Sequence, residues 1–266
     1  HRQSSAASDV YKRQNLFFML KVIVLGSGNV GSHLVNMFVN SSQIDLVQWY
    51  SRSQITHKKI EVINNIDFLK EADIYVLCVS DNAIKGLSNE LNFKNKLVVH
   101  TSGSTPFQDI CKKNKRGVFY PLQTFSKIKE LDYTKIPICI ESENKEDLEL
   151  LKNLCEKINC KYYEINFEQR KTLHLAAVIS NNFTNYLFGL SKEIILDKNL
   201  DFEILKPLIN ETVDKIHKLD PIESQTGPAR RNDQNIIEMH VNMIENQEHR
   251  NLYKIISQLI KNKYEN

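Results

Sequence analysis

The chain has 266 residues, of which 41% are hydrophobic and 25% are charged, and its formal net charge is +3 at neutral pH. This composition is typical of a globular protein with enough residues for one sizeable core or for two domains. So small a net charge gives no electrostatic footprint for nucleic acid or for an anionic membrane, and we expect neither partner. No run of about 18 apolar residues is present, so we expect no transmembrane helix.

Residues 1–18 are mostly polar and show no apolar periodicity. We expect them to be a non-native or disordered leader, with the natural start at Met19. A secretory signal is the rival interpretation, because Arg and Lys precede an apolar stretch. Lys21 interrupts that stretch, however, and a glycine turn follows where a cleavage site would be expected.

The chain has five cysteines and no C-x-x-C pair. An odd number without paired spacing predicts neither a disulfide framework nor a zinc site, so we expect no metal and a reducing cytoplasm. Cys78 and Cys139 lie in apolar runs and are expected to be small buried side chains.

A glycine-rich turn at residues 26–31 follows the apolar run 20–25 and precedes a segment of helical character. The spacing G-x-G-x-x-G between a strand and a helix is the fingerprint of dinucleotide binding. The first glycine permits a sharp turn, the second lets a pyrophosphate approach the backbone, and the third lets the helix pack closely on the strand. A Rossmann-like scaffold that has lost its ligand is the alternative. The residues expected at the cofactor, with its phosphates at the helix N-terminus, are Gly26, Ser27, Gly28, Asn29, Val30 and Gly31.

The second strand, residues 45–50, ends in Ser51, Arg52 and Ser53. An NAD-preferring site would carry Asp or Glu here to bind the ribose 2′-hydroxyl. Arg52 can instead bind a 2′-phosphate through two parallel hydrogen bonds. We therefore predict NADP, bound as NADPH, with Ser51, Arg52 and Ser53 in the site. A solvated loop arginine is the alternative.

Short apolar runs predict the strands, and several are apolar throughout, as expected for a parallel sheet with helices on both faces. We expect a helix capped by Asp81 or Asn82, and another with Pro106 in its first turn. The predicted strands cover residues 20–25, 45–50, 59–63, 72–79, 96–100, 117–121, 136–140 and 161–165, with a helix at 145–158.

Two loops of this sheet are further candidates for the cofactor site, because ligands of open α/β sheets bind beyond the carboxyl ends of the strands. Simple capping of the loops by their own polar side chains is the alternative. The candidate residues are Val79, Ser80, Thr101, Ser102 and Gly103.

From residue 167 onward the pattern changes to long helices, predicted at 168–198, 202–219, 232–244 and 248–261, with Pro207 as a kink or late start. The fold class is therefore α/β: a doubly wound, mostly parallel Rossmann sheet over 19–166, followed by an all-α domain over 167–266. These helices carry more apolar surface than one sheet edge can cover, so we expect a homodimer through the helical domain.

The first long helix carries a polar band opposite an apolar face, if each residue turns the helix by about 100°. A solvated face in this lysine-rich chain would hold Lys and Glu, whereas this band holds mainly His and Asn. We interpret His174 as a general acid, Lys171 as the competing donor, and Asn182 as the residue that holds the substrate's polar group. Solvated or helix-packing contacts are the alternative. The band comprises Lys171, His174, Asn181, Asn182 and Asn185, with Asn181 a further substrate contact.

A second group of polar residues is the segment 226–233, which reads TGPARRND. Gly227 and Pro228 set a tight turn and Asp233 can cap the next helix, so these three residues have a structural explanation. A turn and a cap do not explain the two arginines. We predict that Thr226 and Arg230 contact the substrate, with the guanidinium facing a carboxylate or the cofactor phosphates.

The motifs GSGNVG, YSRS, CVSDNAI, HTSGSTP, YPLQTFS, HLAAVISNN and TGPARRND occur in this order. The chain from Met19 onward resembles bacterial Rossmann-like proteins whose C-terminal half is known only as a domain of unknown function. These proteins are often described as NADP oxidoreductases, and their architecture is similar to that of pyrroline-5-carboxylate reductases and 3-hydroxyisobutyrate dehydrogenases. The resemblance implies a helical C-terminal domain that dimerises and closes over the nicotinamide.

The hydroxyacid group of these relatives uses a Lys-x-x-x-Asn pair on its interdomain helix. Here Leu175 follows Lys171 at that spacing, so that mechanism is not carried over. His174 and Asn182 match the pattern of the resembled family best.

These observations lead to one main hypothesis about function and two alternatives. The first is an NADP-dependent oxidoreductase that acts on a small polar carbonyl, imine or hydroxyacid at the cleft between the two domains. The alternatives are a non-catalytic NADP-binding or sensing protein that uses its helical domain for partner contacts, and a structural dimer with a vestigial site.

Overall fold

The computed structural model describes residues 19–126 and 131–264, so the proposed leader lies outside the described residues. The first part of the chain forms an eight-stranded sheet in the order β3-β2-β1-β4-β5-β6-β7-β8. Its strands are β1 (Leu20–Leu25), β2 (Ile44–Tyr50), β3 (Val62–Ile63), β4 (Ile74–Leu77), β5 (Leu97–His100), β6 (Lys115–Pro121), β7 (Ile138–Ser142) and β8 (Tyr162–Glu164).

All neighbouring strands in the sheet are parallel except β6 and β7, which are antiparallel. A parallel neighbour needs a crossover, usually a helix, and the described residues between β6 and β7 contain only the 3₁₀ turn Tyr133–Lys135. The prediction of a doubly wound, mostly parallel sheet is confirmed.

Helices cover both faces of this sheet: α1 (Asn29–Val39), α2 (Asp81–Glu90) and α3 (Lys145–Lys157). Side chains of β1 alternate between two hydrophobic cores, as the strand period requires. Val24 packs in one core with Phe38 of α1 and Leu154 of α3, whereas Leu25 packs in the other with Ile84 of α2. The central strands are therefore buried on both faces, which explains their continuous apolar sequences.

The carboxyl ends of four strands meet at one edge of the sheet. Leu25 pairs with Tyr50 of β2 and with Leu77 of β4, and Leu77 pairs with His100 of β5. The glycine turn and the loops that follow β2, β4 and β5 consequently begin side by side. This register positions the candidate site.

The helix predicted after β4 is present with a different cap residue, whereas the prediction of a helix at Pro106 is wrong. Ser80 is the N-cap residue of α2, and Asp81 lies in the first turn rather than at the cap. Pro106 precedes only a single 3₁₀ turn, Phe107–Asp109, because Ile110 adopts an extended conformation and is buried in the core beside α2.

The remaining elements are helical: α4 (Phe167–Ala177), a π-helical segment (Val178–Phe183), α5 (Thr184–Leu196), a 3₁₀ turn (Phe202–Leu205), α6 (Lys206–Ile216), α7 (Gln234–Met243) and α8 (Gln247–Tyr264). The prediction of one uninterrupted helix over 168–198 is wrong, because the π segment interrupts it. Pro207 marks a late start, since α6 begins at Lys206 with the proline in its first turn. Asp233 caps α7 as predicted, and its carboxylate accepts a hydrogen bond from the Ile236 amide at 3.4 Å.

The chain divides into two compact units, the first ending at Ile179 and the second beginning at Ser180. The sequence-based boundary lay at the start of the helical region, before residue 167. Helix α4 is part of the sheet unit because Arg170, fully buried, ties it to Glu141 of β7 and to the backbone of Thr105.

The second unit has very little core of its own. Within its described residues only Ala229 and Ser257 are buried. Large apolar side chains are exposed on its helices, among them Phe183, Tyr186, Leu208, Ile216, Met239, Met243, Ile255 and Leu259.

None of the helices in residues 19–126 and 131–264 is long and apolar enough to cross a membrane.

The five cysteines are free thiols, and Cys78 and Cys139 are buried as predicted. Burial raises the pKa of the Cys78 thiol to about 12. The described residues contain no group of three or more His, Cys, Asp and Glu side chains arranged to hold a metal ion.

Candidate active site

The glycine turn has the strained and crowded backbone that its spacing predicts. Gly26 has a φ of +122°, and a Cβ on it would lie 2.1 Å from the carbonyl oxygen of Cys78. A Cβ on Gly31 would lie 2.2 Å from the carbonyl oxygen of Gly26, so the third glycine lets α1 approach the turn. Gly28, the N-cap residue of α1, has open space where its Cβ would be. A phosphate can therefore approach the N-terminus of α1.

A cavity of about 430 Å³ opens beside this turn, at the carboxyl ends of β1, β2 and β4. Seven predicted cofactor residues line it: Gly26, Ser27, Gly28, Arg52, Ser53, Val79 and Ser80. Its other lining residues were not singled out from the sequence: Tyr50, Cys78, Ala83, Gly86, Leu87 and Glu90. Ala83 and Gly86 are small residues three apart on α2, a spacing that puts both on one helix face and leaves room for a ligand.

The loop after β2 begins with a buried residue, Ser51, and continues with an exposed one, Arg52. Ser51 is buried and does not line the cavity; its Oγ lies 2.7 Å from Ser27 Oγ and 2.9 Å from the carbonyl oxygen of Ser53. It joins this loop to the glycine turn. Arg52 is exposed and has no hydrogen bond or ion pair within the described residues, so its guanidinium is free to bind an anion.

The N-terminal turns of α1 hold the loop that follows β6. Asn29, a predicted cofactor residue, donates from Nδ2 to the carbonyl oxygen of Phe125 at 3.0 Å. His33, which the sequence did not single out, lies 2.8 Å from the carbonyl oxygen of Ser126 through Nε2 and 3.1 Å from the Tyr133 hydroxyl through Nδ1. Because a carbonyl only accepts, Nε2 carries a proton, and in the neutral ring Nδ1 then accepts from the phenol. Neither Asn29 nor Val30 lines the cavity.

The loop after β5 is closed by its own hydrogen bonds. Ser102 is buried, and its Oγ accepts from the amides of Ser104 at 3.1 Å and Thr105 at 3.0 Å. The Thr101 hydroxyl donates to the carbonyl oxygen of Leu77 at 3.4 Å. These contacts are the capping alternative for Thr101 and Ser102, and neither residue lines the cavity.

His100, the last residue of β5, is fully buried beneath this loop. Its Nδ1 accepts from the Ser102 amide at 3.2 Å. Burial, together with the charge of Arg170, lowers the pKa of His100 to about 4. The imidazole is therefore neutral at physiological pH, and its Nδ1 holds the Ser102 amide of the loop.

A second cluster of polar side chains lies where α4 meets the loop after β5. His174 Nδ1 and the Tyr120 hydroxyl are 3.1 Å apart, and both side chains are partly buried. A Cβ on Gly103 would lie 2.7 Å from His174 Nδ1 and 2.9 Å from Tyr120 Cζ. Gly103, predicted at the cofactor, therefore also makes room for the His174 ring.

Tyr120 is the main residue of this cluster that the sequence did not single out as a site residue. Burial raises the pKa of its hydroxyl to about 12, so the phenol keeps its proton at neutral pH. It directly precedes Pro121, the last residue of β6. An aromatic hydroxyl next to the carboxyl end of a strand is the signal that could have found it.

The other residues of the predicted polar band lie at the surface. Lys171 is exposed and pairs with Glu168 at 2.7 Å. Asn181 and Asn182 are exposed, and they lie in the π segment, whose i→i+5 hydrogen bonds change the rotation per residue. The assumption of a uniform α-helix, on which the band was constructed, is therefore wrong beyond Ala177.

The predicted substrate residues near the tight turn lie in the second unit. Thr226 lines a cavity of about 370 Å³ formed with α6. The Arg230 guanidinium donates to the carbonyl oxygens of Glu223 and Gln225 and lies 5.0 Å from the centre of the Tyr264 ring. These contacts hold the turn and give Arg230 a structural role that the sequence did not indicate.

Two protein families match the chain. The family described as "NADP oxidoreductase coenzyme F420-dependent" matches residues 21–103, and the family described as "Domain of unknown function (DUF2520)" matches residues 136–260. The first match contains the glycine turn and Arg52, and the second contains His174. Among curated proteins, none matches the chain.

Solved structures share the fold over nearly the whole chain. A "putative NADP oxidoreductase" from Bacteroides fragilis is 34% identical, with a TM-score of 0.84 over 91% of this chain and 98% of that one. A protein from Thermotoga maritima is 26% identical, with a TM-score of 0.69 over 92% and 98% of the two chains. A pyrroline carboxylate reductase from Plasmodium falciparum, solved with NADP bound, is 17% identical, with a TM-score of 0.58 over 92% and 98%, and it shows likeness of fold alone.

Proposed function

Because the chain belongs to the family of NADP oxidoreductases whose C-terminal half is a domain of unknown function, we propose that it binds NADPH beside the glycine turn. With it the protein reduces a small polar carbonyl or imine, or oxidises the matching hydroxyacid. The observation that carries this proposal is the cavity beside the glycine turn, which combines an open helix N-terminus with an unpaired arginine.

The residues of this cavity fit the two anionic groups of NADPH. Gly28 leaves the first amides of α1 accessible, and the positive end of the helix dipole favours the pyrophosphate. Arg52 and Ser53 line the cavity at the end of β2, where a 2′-phosphate can form charge-assisted hydrogen bonds with the guanidinium. No carboxylate follows β2 directly to repel that phosphate.

In the reductive direction, the bound cofactor supplies a hydride to the substrate carbon. The substrate oxygen or nitrogen then gains negative charge and needs one proton. We assign this proton to His174. The donating form is the imidazolium: Nδ1–H donates to the Tyr120 hydroxyl oxygen, Nε2–H gives its proton to the substrate, and a neutral imidazole remains.

The exposed apolar helices of the second unit support a homodimer. A unit with only Ala229 and Ser257 buried among its described residues cannot offset the entropy cost of folding without further apolar burial. A second copy of the chain, presenting the same apolar helices, supplies matching surface in a closed symmetric contact.

The test of the proposed activity has two steps. Calorimetric titration with NADPH and NADH measures cofactor binding, and we expect tighter binding of NADPH. The loss of NADPH absorbance is then followed with a panel of small carbonyl compounds, imines and α-keto acids. Failure to bind either cofactor would contradict the proposal. Binding without turnover of any compound would instead favour a non-catalytic sensing protein.

A further inference from the structure

Arg170 is the largest fully buried side chain among the described residues, and it lies four positions before His174 on α4. Residues at this spacing share one face of a helix. A buried arginine is rare unless its charge is paired and its donors are used. Its contacts therefore indicate what the buried charge does.

The guanidinium and the first turn of α4 share one carboxylate. Glu141 of β7 accepts from the Phe167 amide at 3.1 Å through Oε1 and from Arg170 Nη1 through Oε2. The carboxylate thus lies at the N-terminus of α4, where the helix dipole favours a negative charge. Glu141 and Arg170 together fasten the start of α4 to the sheet.

The same guanidinium also holds the loop after β5. Arg170 Nη2 donates to the carbonyl oxygen of Thr105 at 2.7 Å. Two residues earlier in this loop, Gly103 lies against the His174 ring. Helix α4 therefore contacts the loop through two residues one helical turn apart, Arg170 and His174. The contact of Arg170 is the hydrogen bond to the Thr105 carbonyl oxygen.

We propose that Arg170 is the positioning residue of His174: by bonding Glu141 and the Thr105 carbonyl at once, it fixes the imidazole against Gly103 and within hydrogen-bond distance of Tyr120. The inference deepens the proposed function, because the pair it positions is the proposed proton donor. A planar guanidinium reaches two separate acceptors at fixed angles, which a lysine ammonium does not. The charge of Arg170 also opposes the rise in the pKa of Tyr120, which indicates that the charge acts on the Tyr120 hydroxyl.

The decisive variant is Arg170→Lys, which keeps the positive charge but has one ammonium nitrogen in place of the planar guanidinium. We expect the side-chain ¹⁵N resonances of His174, assigned by their loss in His174→Gln, to shift as the contact with Tyr120 is lost. With a substrate in hand, kcat should fall by about 10²-fold, the effect of roughly 1 Å of misplacement. The KM for NADPH should stay within about threefold, since Arg170 does not line the cofactor cavity.

Lys115→Met is the matched control. Lys115 forms an ion pair, at 3.2 Å, with the buried carboxylate of Asp147 on α3, so this variant removes the cation from another buried ion pair of the sheet unit. This variant should lower the unfolding free energy without shifting the His174 resonances. Should Arg170→Lys fail to fold, Glu141→Gln provides the same comparison, because the neutral amide weakens the bond to the guanidinium.

Unchanged His174 resonances in the Arg170 or Glu141 variant would overturn the inference, and so would an equal shift in Lys115→Met. The resonances are measured without substrate. A selective shift in a protein that turns over no compound would therefore support the positioning role while counting against the proposed reaction.

Discussion

The His174 ring lies directly against Gly103, so that a Cβ on this glycine would be 2.7 Å from Nδ1 and 2.8 Å from Cγ. The sequence motif that contains Gly103 follows a strand, and for this reason the sequence predicts a cofactor loop at this position. The contact shows what this position requires in the structure, which is space for an imidazole from another element.

The first prediction concerns this contact. Gly103→Ala should push the His174 ring away from Tyr120, lowering kcat by about 10²-fold and the unfolding free energy by about 1–3 kcal/mol. Steady-state kinetics and urea unfolding measure the two effects. Gly189→Ala is the control, because a Cβ at Gly189 meets nothing within 4 Å. Wild-type turnover in Gly103→Ala would show that the glycine contact is unrelated to the reaction.

The second prediction separates the proton donor from its partner. His174→Ala should lower kcat by about 10²–10⁴-fold, as expected for the loss of a general acid. Tyr120→Phe removes one hydrogen bond to the imidazole ring and should lower kcat by roughly 2- to 10-fold. Lys171→Ala tests the competing donor: a loss there larger than that of His174→Ala would assign the proton to Lys171.

The third prediction concerns cofactor choice. Arg52→Ala should weaken NADPH binding by about 1.5–3 kcal/mol, the range for a hydrogen bond to a charged group, and barely change NADH binding. Calorimetry with each cofactor measures this difference. Lys58→Ala, a nearby exposed cation that does not line the cavity, should leave both affinities within about twofold. Equal losses for the two cofactors in Arg52→Ala would contradict contact with a 2′-phosphate.

The fourth prediction follows from the buried imidazole of His100, whose pKa falls from an ordinary value of 6.5 to about 4. Below pH 6.5 the unfolded chain takes up a proton that the folded chain does not, so stability falls as the pH drops toward 4. On acidification from pH 7 to pH 5, protonation of this group in the unfolded chain should lower the free energy of unfolding by about 2 kcal/mol.

His100→Asn tests this contribution, since the amide oxygen can replace Nδ1 as the acceptor for the Ser102 amide. Urea unfolding of the wild type and the variant at both pH values measures the difference. The variant should lose less stability on acidification than the wild type. Equal losses of stability in the wild type and in the variant would show that other groups determine the pH dependence between pH 7 and pH 5.

The fifth prediction concerns assembly. At micromolar concentration the protein should sediment as a dimer, with about twice the 30.9 kDa of one chain. Leu208→Glu or Leu259→Glu, each placing a charge on an exposed apolar position of the second unit, should shift the protein toward the monomer. A monomer in the wild type would contradict the proposed use of these helices.

The sequence determined the sheet and the glycine turn, because both depend on local patterns. Continuous apolar runs such as 74–77 can be satisfied only by burial on both faces, and the G-x-G-x-x-G spacing specifies its own backbone geometry. The family followed from the order of the motifs. Arg52 could be placed beside the glycine turn because its position relative to the glycines is set by two consecutive strands.

The tertiary structure decided what helix α4 meets. Tyr120 and Gly103 come from β6 and from the loop after β5, and no spacing along the chain links them to His174. A single helical period also fails across the π segment at 178–183, where the backbone hydrogen bonds follow a different spacing. Contacts between distant segments depend on packing, and helical periodicity predicts a face only while the helix keeps one geometry.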